Sequence, residues 1–195
     1  MLEPACQEEI ARRVRVPQII VAALVAGLLV FLVIVLVVIQ QGFAGVPETA
    51  PILTCVALAF ALSAVLARLI VPNLIVAQGR RNIIQGTWQV PMSAQSQSGY
   101  GQTMQQECAQ FVERTGDAGR LLFVFQARTI VAAAVLEGPA FFVLITYMIG
   151  RSPLALILAV FLILGVALHF PTQSGVIHWI DDQLRLVEQE RQFRR

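Results

Sequence analysis

Glu137 is the residue whose placement most invites chemistry. It stands in the run Thr129-Ile-Val-Ala-Ala-Ala-Val-Leu-Glu137-Gly138-Pro139-Ala140-Phe141-Phe142, where every near neighbour is small or apolar. In helical form it lies eight residues from Thr129, about 12 Å along the axis. An acid at that depth in hydrocarbon costs a few kcal/mol unless it faces other helices or water. Pro139 has no N–H for the carbonyl of Val135, so a missing backbone bond and a kink are expected next to the acid. A carboxylate, a freed carbonyl and a glycine in one place could take a proton, a water or a small cation. They could equally do something plainer: a protonated Glu137 donates one hydrogen bond to a neighbouring helix and fixes packing. The structural role is the expected one. Ala133, Ala134 and Ala140 lie at i−4, i−3 and i+3, and small residues allow close helix approach, so this face is expected to point into a bundle. Ser63 and Gly27 fall at about the same depth. Arg68 lies nearer the surface, able to reach down toward the carboxylate or up toward phosphates, the upward course being the commoner one. The candidate site is thus Glu137, Pro139, Ser63 and Arg68.

Other chemistry is not called for. The two histidines are His169 and His178, and no serine, cysteine or carboxylate pair has the spacing of a nucleophile and its base. Cys6, Cys55 and Cys108 are odd in number and form no C-x-x-C pair, so neither a zinc site nor a disulfide framework is suggested. His169 is expected to cap a helix end rather than hold a metal. No catalytic residue, metal site or cofactor is expected, and the chain is not read as an enzyme.

The elements that must carry Glu137 follow from composition. Of 195 residues, 57% are hydrophobic and 13% charged, and the mean hydropathy is +0.73. Soluble domains run near a quarter charged, so too few polar residues are present to cover a wetted surface. A bilayer core takes about 20 apolar residues as a helix, and no water reaches it to satisfy an irregular backbone. Four runs qualify, at about 18–40, 51–72, 128–150 and 153–170. Pro17 and Pro51 suit the first turn of the first two, and Pro72 and Pro171 follow the second and fourth. The first run is much longer than the apolar core of a signal peptide, and no clear small-x-small site follows it, so it is read as a retained span. The expected fold is all-α: a single polytopic membrane domain over 1–195 with four transmembrane helices.

Orientation follows from the arginines, which supply all fourteen basic residues. Arg12, Arg13 and Arg15 precede the first span, and none lies between Gln40 and Ala50. Five lie between the second and third spans, one (Arg151) in the turn after the third, and four after the last. Arginine retained on the cytoplasmic side gives N-in and C-in, with a cytoplasmic loop at 73–127 and a cytoplasmic tail. The net charge of +2 and the lack of a basic stripe with interleaved aromatics argue against a nucleic-acid partner.

The cytoplasmic pieces read as helical extensions. Glu8 with Arg12 and Glu9 with Arg13 stand at i,i+4, which predicts a short solvated lead-in helix. Gly86 to Gln106 is rich in Gln, Ser and Gly and is expected to be mobile. Helical character returns at Glu107, is interrupted at Gly116-Asp117-Ala118-Gly119, and resumes toward the third span with Asp117 as its N-cap. Val176, Ile177, Ile180, Leu184 and Val187 recur at helical spacing in the tail, predicting an amphipathic helix over 174–195. Its mixed charge favours packing on protein over lying on lipid.

The segment Gln126-Ala-Arg-Thr-Ile-Val-Ala-Ala-Ala-Val-Leu-Glu-Gly-Pro-Ala-Phe-Phe142 resembles the third span of a group of bacterial inner-membrane proteins, in which R-T-I is followed by A-x-L-E-G-x-A-F-F and a second apolar helix. The resemblance covers the last hairpin, about a quarter of the chain. It implies a multi-pass protein of the bacterial cytoplasmic (inner) membrane and no particular activity. A fainter likeness is to the proteolipid hairpin of rotary ATP synthases, which also carries one membrane carboxylate. That hairpin has a glycine-rich first helix and bears its acid on the second. Here the acid is on the first helix of the last hairpin and no glycine ridge exists, so ion translocation is not carried over. The expected function is that of a non-catalytic structural or accessory subunit of a membrane assembly. Its partners would be the lipid bilayer and either other proteins or further copies of itself, met through the cytoplasmic helices. The alternative is proton or cation translocation through Glu137.

Overall fold

The computed structural model describes residues 4–42, 50–89 and 99–193. Six helices account for nearly all of them: α1 (Pro4–Gln40), α2 (Ala50–Gln85), α3 (Gly99–Thr115), α4 (Asp117–Gly150), α5 (Pro153–Ala167) and α6 (Gln173–Phe193). No strand occurs among the described residues. The fold is all-helical, as the long apolar runs led one to expect.

Three helices are long and apolar enough to cross a membrane: Cys6–Gln40, Pro51–Gln85 and Asp117–Gly150. The fourth apolar run forms α5, 15 residues long, or about 22 Å at helical rise. It ends at Ala167 rather than near residue 170. Leu168 to Phe170 form a turn whose amides bond back to the carbonyls of Leu164, Val166 and Ala167.

Two prolines behave differently from their expected roles. Pro17 does not open a helix but sits inside α1, and Pro72 does not close α2, which runs on to Gln85. Each removes one backbone donor, and side chains supply donors close by. Gln126 Nε2 donates to the carbonyl of Arg13, the one Pro17 cannot serve, at 3.4 Å. Asn73 Nδ2, next to Pro72, donates to Leu69 O at 2.8 Å.

The chain divides into two compact units, and α1, α2 and α4 contribute residues to both. The apolar unit comprises Val16–Asn73 and Thr129–Phe170. Its core takes Val21, Leu28 and Val35 from α1 at heptad spacing, which keeps one seam of the helix against its neighbours. From α2 it takes only alanines, Ala57 and Ala61, small enough for close backbone approach. Ala133, Leu136, Ala140 and Val143 of α4 meet Ala159, Leu162 and Val166 of α5 in the same core. Phe31 packs edge-on against Phe141 and Phe60 against Phe142, with centroids 5.1 and 5.6 Å apart. The outward faces are as apolar as the core: Val30, Val33, Leu62, Leu66 and Phe161 are all exposed. A water-facing protein does not leave so continuous an apolar surface open.

The second unit gathers Met1–Arg15, Leu74–Arg128 and Pro171–Arg195. Its core joins Ile10 and Val14 of α1, Ile83 of α2, Phe111 of α3, Leu121 and Leu122 of α4, and Val176, Ile180 and Val187 of α6. The tail helix therefore packs on the middle segment, as its mixed charge suggested. Polar contacts fix it further. Arg191 Nη1 pairs with Asp117 Oδ2 at 2.8 Å, and Arg80 Nε lies 3.0 Å from Glu190 Oε1.

Three local expectations are corrected in this unit. The lead-in of α1 is solvated on one face only, through Glu8, Arg12 and Arg15. Ile10 and Val14 are fully buried, and neither Glu8–Arg12 nor Glu9–Arg13 forms an ion pair among the described residues. Arg13 instead stacks 4.1 Å over the Phe111 ring. Helix α3 begins at Gly99, inside the Gly86–Gln106 segment expected to lack order; residues 90–98 of that segment lie outside the described residues. Asp117 is not a cap. The break between α3 and α4 is made by Gly116 at φ +60°, and Asp117 opens α4 with its carboxylate bonded to Arg120 and Arg191.

Candidate functional site

Glu137 lies midway along α4 and is half-buried. Its flanking positions are split: Ala133 and Ala140 are buried in the apolar core, while Ala134 and Gly138 are exposed. The side chain therefore stands at the edge of the bundle face rather than inside it, because α4 presents its buried stripe one step around the helix, through Ala133, Leu136, Ala140 and Val143. A methyl group added at Gly138 would meet nothing within 4 Å. Among the described residues, the Glu137 carboxyl makes no hydrogen bond or ion pair.

The other three candidates do not converge on it. Ser63 is exposed and donates to the Phe60 carbonyl of its own helix at 2.7 Å, the usual way for a serine to satisfy itself in a helix. Pro139 is buried, and α4 continues through it. Arg68 is half-buried and lines a groove in which Leu136, not Glu137, represents α4. The carboxylate and the guanidinium thus belong to different surfaces of the apolar unit.

That groove has a volume of about 400 Å³ and lies between α2, α4 and α5. Leu58, Leu62 and Val65 line it from α2, Leu158, Phe161 and Gly165 from α5. The helix directions follow from contacts inside the unit. Phe60 meets Phe142, and Leu136, two turns earlier on α4, lines the groove together with Val65 and Arg68, which come later on α2. Hence α2 runs antiparallel to α4. The two-residue connection at Arg151-Ser152 makes α5 antiparallel to α4 as well, with Leu136 3.3 Å from where a Gly165 side chain would begin. Helices α2 and α5 are therefore parallel, and Arg68 and His169 come to the same end of the groove. These two carry its only ionisable side chains. His169 Nδ1 lies 2.6 Å from Gly165 O and donates to it, closing the end of α5 as expected.

Sequence reasoning found Arg68 and His169 separately but missed the groove they share. The available signal was the small residues Ala61 and Gly165, which leave room opposite large ones. No protein-family description, curated protein or solved structure matches the chain.

Proposed function

We propose that the chain is a four-span protein of the bacterial inner membrane, N-in and C-in, acting as a non-catalytic structural or accessory subunit of a membrane assembly. The half-buried Glu137, which makes no hydrogen bond or ion pair among the described residues and stands beside open space at Gly138, carries this reading. A carboxyl in the middle of an apolar span needs a hydrogen-bonding partner, and on this reading a helix outside the chain supplies it. The arginine alternation sets the orientation, and the exposed apolar faces of α1, α2 and α5 supply the lipid contact. The fourth crossing is α5 with the turn that follows it. A short span of this kind is accommodated by local thinning of the bilayer.

Translocation through Glu137 is the competing reading, and its requirement is a relay. Thr129 and Thr146 are the buried polar side chains among the described residues, and Thr146 is committed to the Phe142 carbonyl at 3.0 Å. Neither extends a path from the carboxylate. Reconstituted vesicles decide between the two. The accessory role predicts no pH-driven flux in the wild type, with Glu137→Gln folding and assembling at a loss of about 1 kcal/mol or less. Glu137→Leu, which has no polar atom to offer, weakens assembly further. A wild-type flux that vanishes in Glu137→Gln would sink the accessory role.

A further inference from the structure

We propose that the groove between α2, α4 and α5 is a binding site for one anionic phospholipid, with an acyl chain along the groove and the phosphate on the Arg68 guanidinium, at the end of the groove where His169 closes α5. The proposal rests on the membrane placement of the apolar unit and is independent of the accessory role.

Three observations carry it. The first is length. The α2 wall runs from Leu58 to Arg68, ten residues or about 15 Å, which is half of a hydrocarbon core about 30 Å thick and so the depth of one leaflet. The second is lining. Apart from its charged end, the groove wall is leucine, valine, phenylalanine, alanine and glycine, a surface suited to a methylene chain and offering no hydrogen bond to a polar ligand. The third is polarity at one end only. Arg68 and His169 sit together there because α2 and α5 are parallel, and α5 has already ended at Ala167. Guanidinium groups bind phosphate through paired N–H donors, and a cation at the headgroup level attracts acidic lipids. A zwitterionic lipid fits the same groove but pairs less well with a net positive end.

Native mass spectrometry of the full chain in detergent, titrated with phosphatidylglycerol or with phosphatidylcholine of the same acyl chains, tests this. The expected result is one phosphatidylglycerol retained per chain, in clear preference to phosphatidylcholine. Arg68→Gln should reduce phosphatidylglycerol retention about fivefold, the effect of one charge at a membrane surface, and leave phosphatidylcholine unchanged. Arg68→Lys should keep the preference. Val65→Trp, at an exposed groove position, should displace both lipids, whereas Leu66→Trp, outside the lining, should displace neither. Circular dichroism of each variant separates loss of the site from loss of the fold. Equal retention of the two lipids in the wild type, or an unchanged preference in well-folded Arg68→Gln, would overturn the proposal. Alkaline carbonate extraction of the wild type tests the membrane placement separately. Release into the soluble fraction would refute that premise and the site with it.

Discussion

At the scale of single residues, several polar side chains of the apolar unit bond within their own helix or the turn that ends it. Ser63 and Thr146 spend their hydroxyls on carbonyls of their own helices, Asn73 on Leu69, and His169 on Gly165. Glu137 differs from these, because its carboxyl makes no hydrogen bond among the described residues. Its importance was legible in the sequence from apolar context alone. Its orientation was not, because Ala133, Ala134 and Ala140 are equally small, and only packing decides which of them is buried. Glycine gives a sharper residue-level test. A methyl at Gly79 would lie 2.6 and 2.9 Å from the two Val124 methyls, and valine has little rotamer freedom to yield. Gly79→Ala should therefore destabilise by about 1–3 kcal/mol. Adding Val124→Ala should recover part of that loss, so the double-mutant cycle shows favourable coupling in thermal unfolding in detergent. Strict additivity of the two substitutions would show that the helices do not meet there.

At the scale of elements, helix existence was readable and helix ends were not. A proline before an apolar run looks like a start, and one after it looks like a stop. Pro17 and Pro72 are neither, because the helix continues through each: Gln126 serves the carbonyl that Pro17 leaves bare, and at Pro72 the adjoining Asn73 bonds back to Leu69. The lead-in of α1 was misread for a related reason. Cys6, Ile10 and Val14 form an i,i+4 stripe as clear as the Glu–Arg pairs, and burial outweighs surface ion pairs worth a few tenths of a kcal/mol each. The same ranking predicts what holds α6. Its ion pairs Arg191–Asp117 and Arg80–Glu190 are partly exposed, and each contributes about 1 kcal/mol or less. Ile180 is fully buried, so Ile180→Ala should cost about 2–5 kcal/mol. Limited proteolysis should release the tail readily from Ile180→Ala and hardly at all from Asp117→Asn. The reverse order would mean that charge, not burial, seats the helix.

At the scale of the whole molecule, an all-helical fold was evident from composition and run length; of the four apolar runs expected to span, three form helices long and apolar enough to cross a membrane, and the fourth forms the shorter α5. Division into two compact units was not, since three of its four boundaries fall inside α1, α2 and α4 and only the one between Phe170 and Pro171 falls in a connection. The four-span, N-in/C-in reading predicts that single cysteines in a cysteine-free background label from outside at Gly45 and from the cytoplasm at Gln95 and Arg195. External labelling of Gln95, or cytoplasmic labelling of Gly45, would reverse the orientation. The central claim is that Glu137 meets a partner helix from another protein in a membrane assembly. Purification of the native chain from detergent-solubilised membranes, with the stoichiometry of every co-purifying polypeptide determined, tests it most directly. The account predicts a second polypeptide at fixed stoichiometry, retained by Glu137→Gln and lost or depleted in Glu137→Leu. A homogeneous oligomer of this chain alone, unaffected by either substitution, would contradict it.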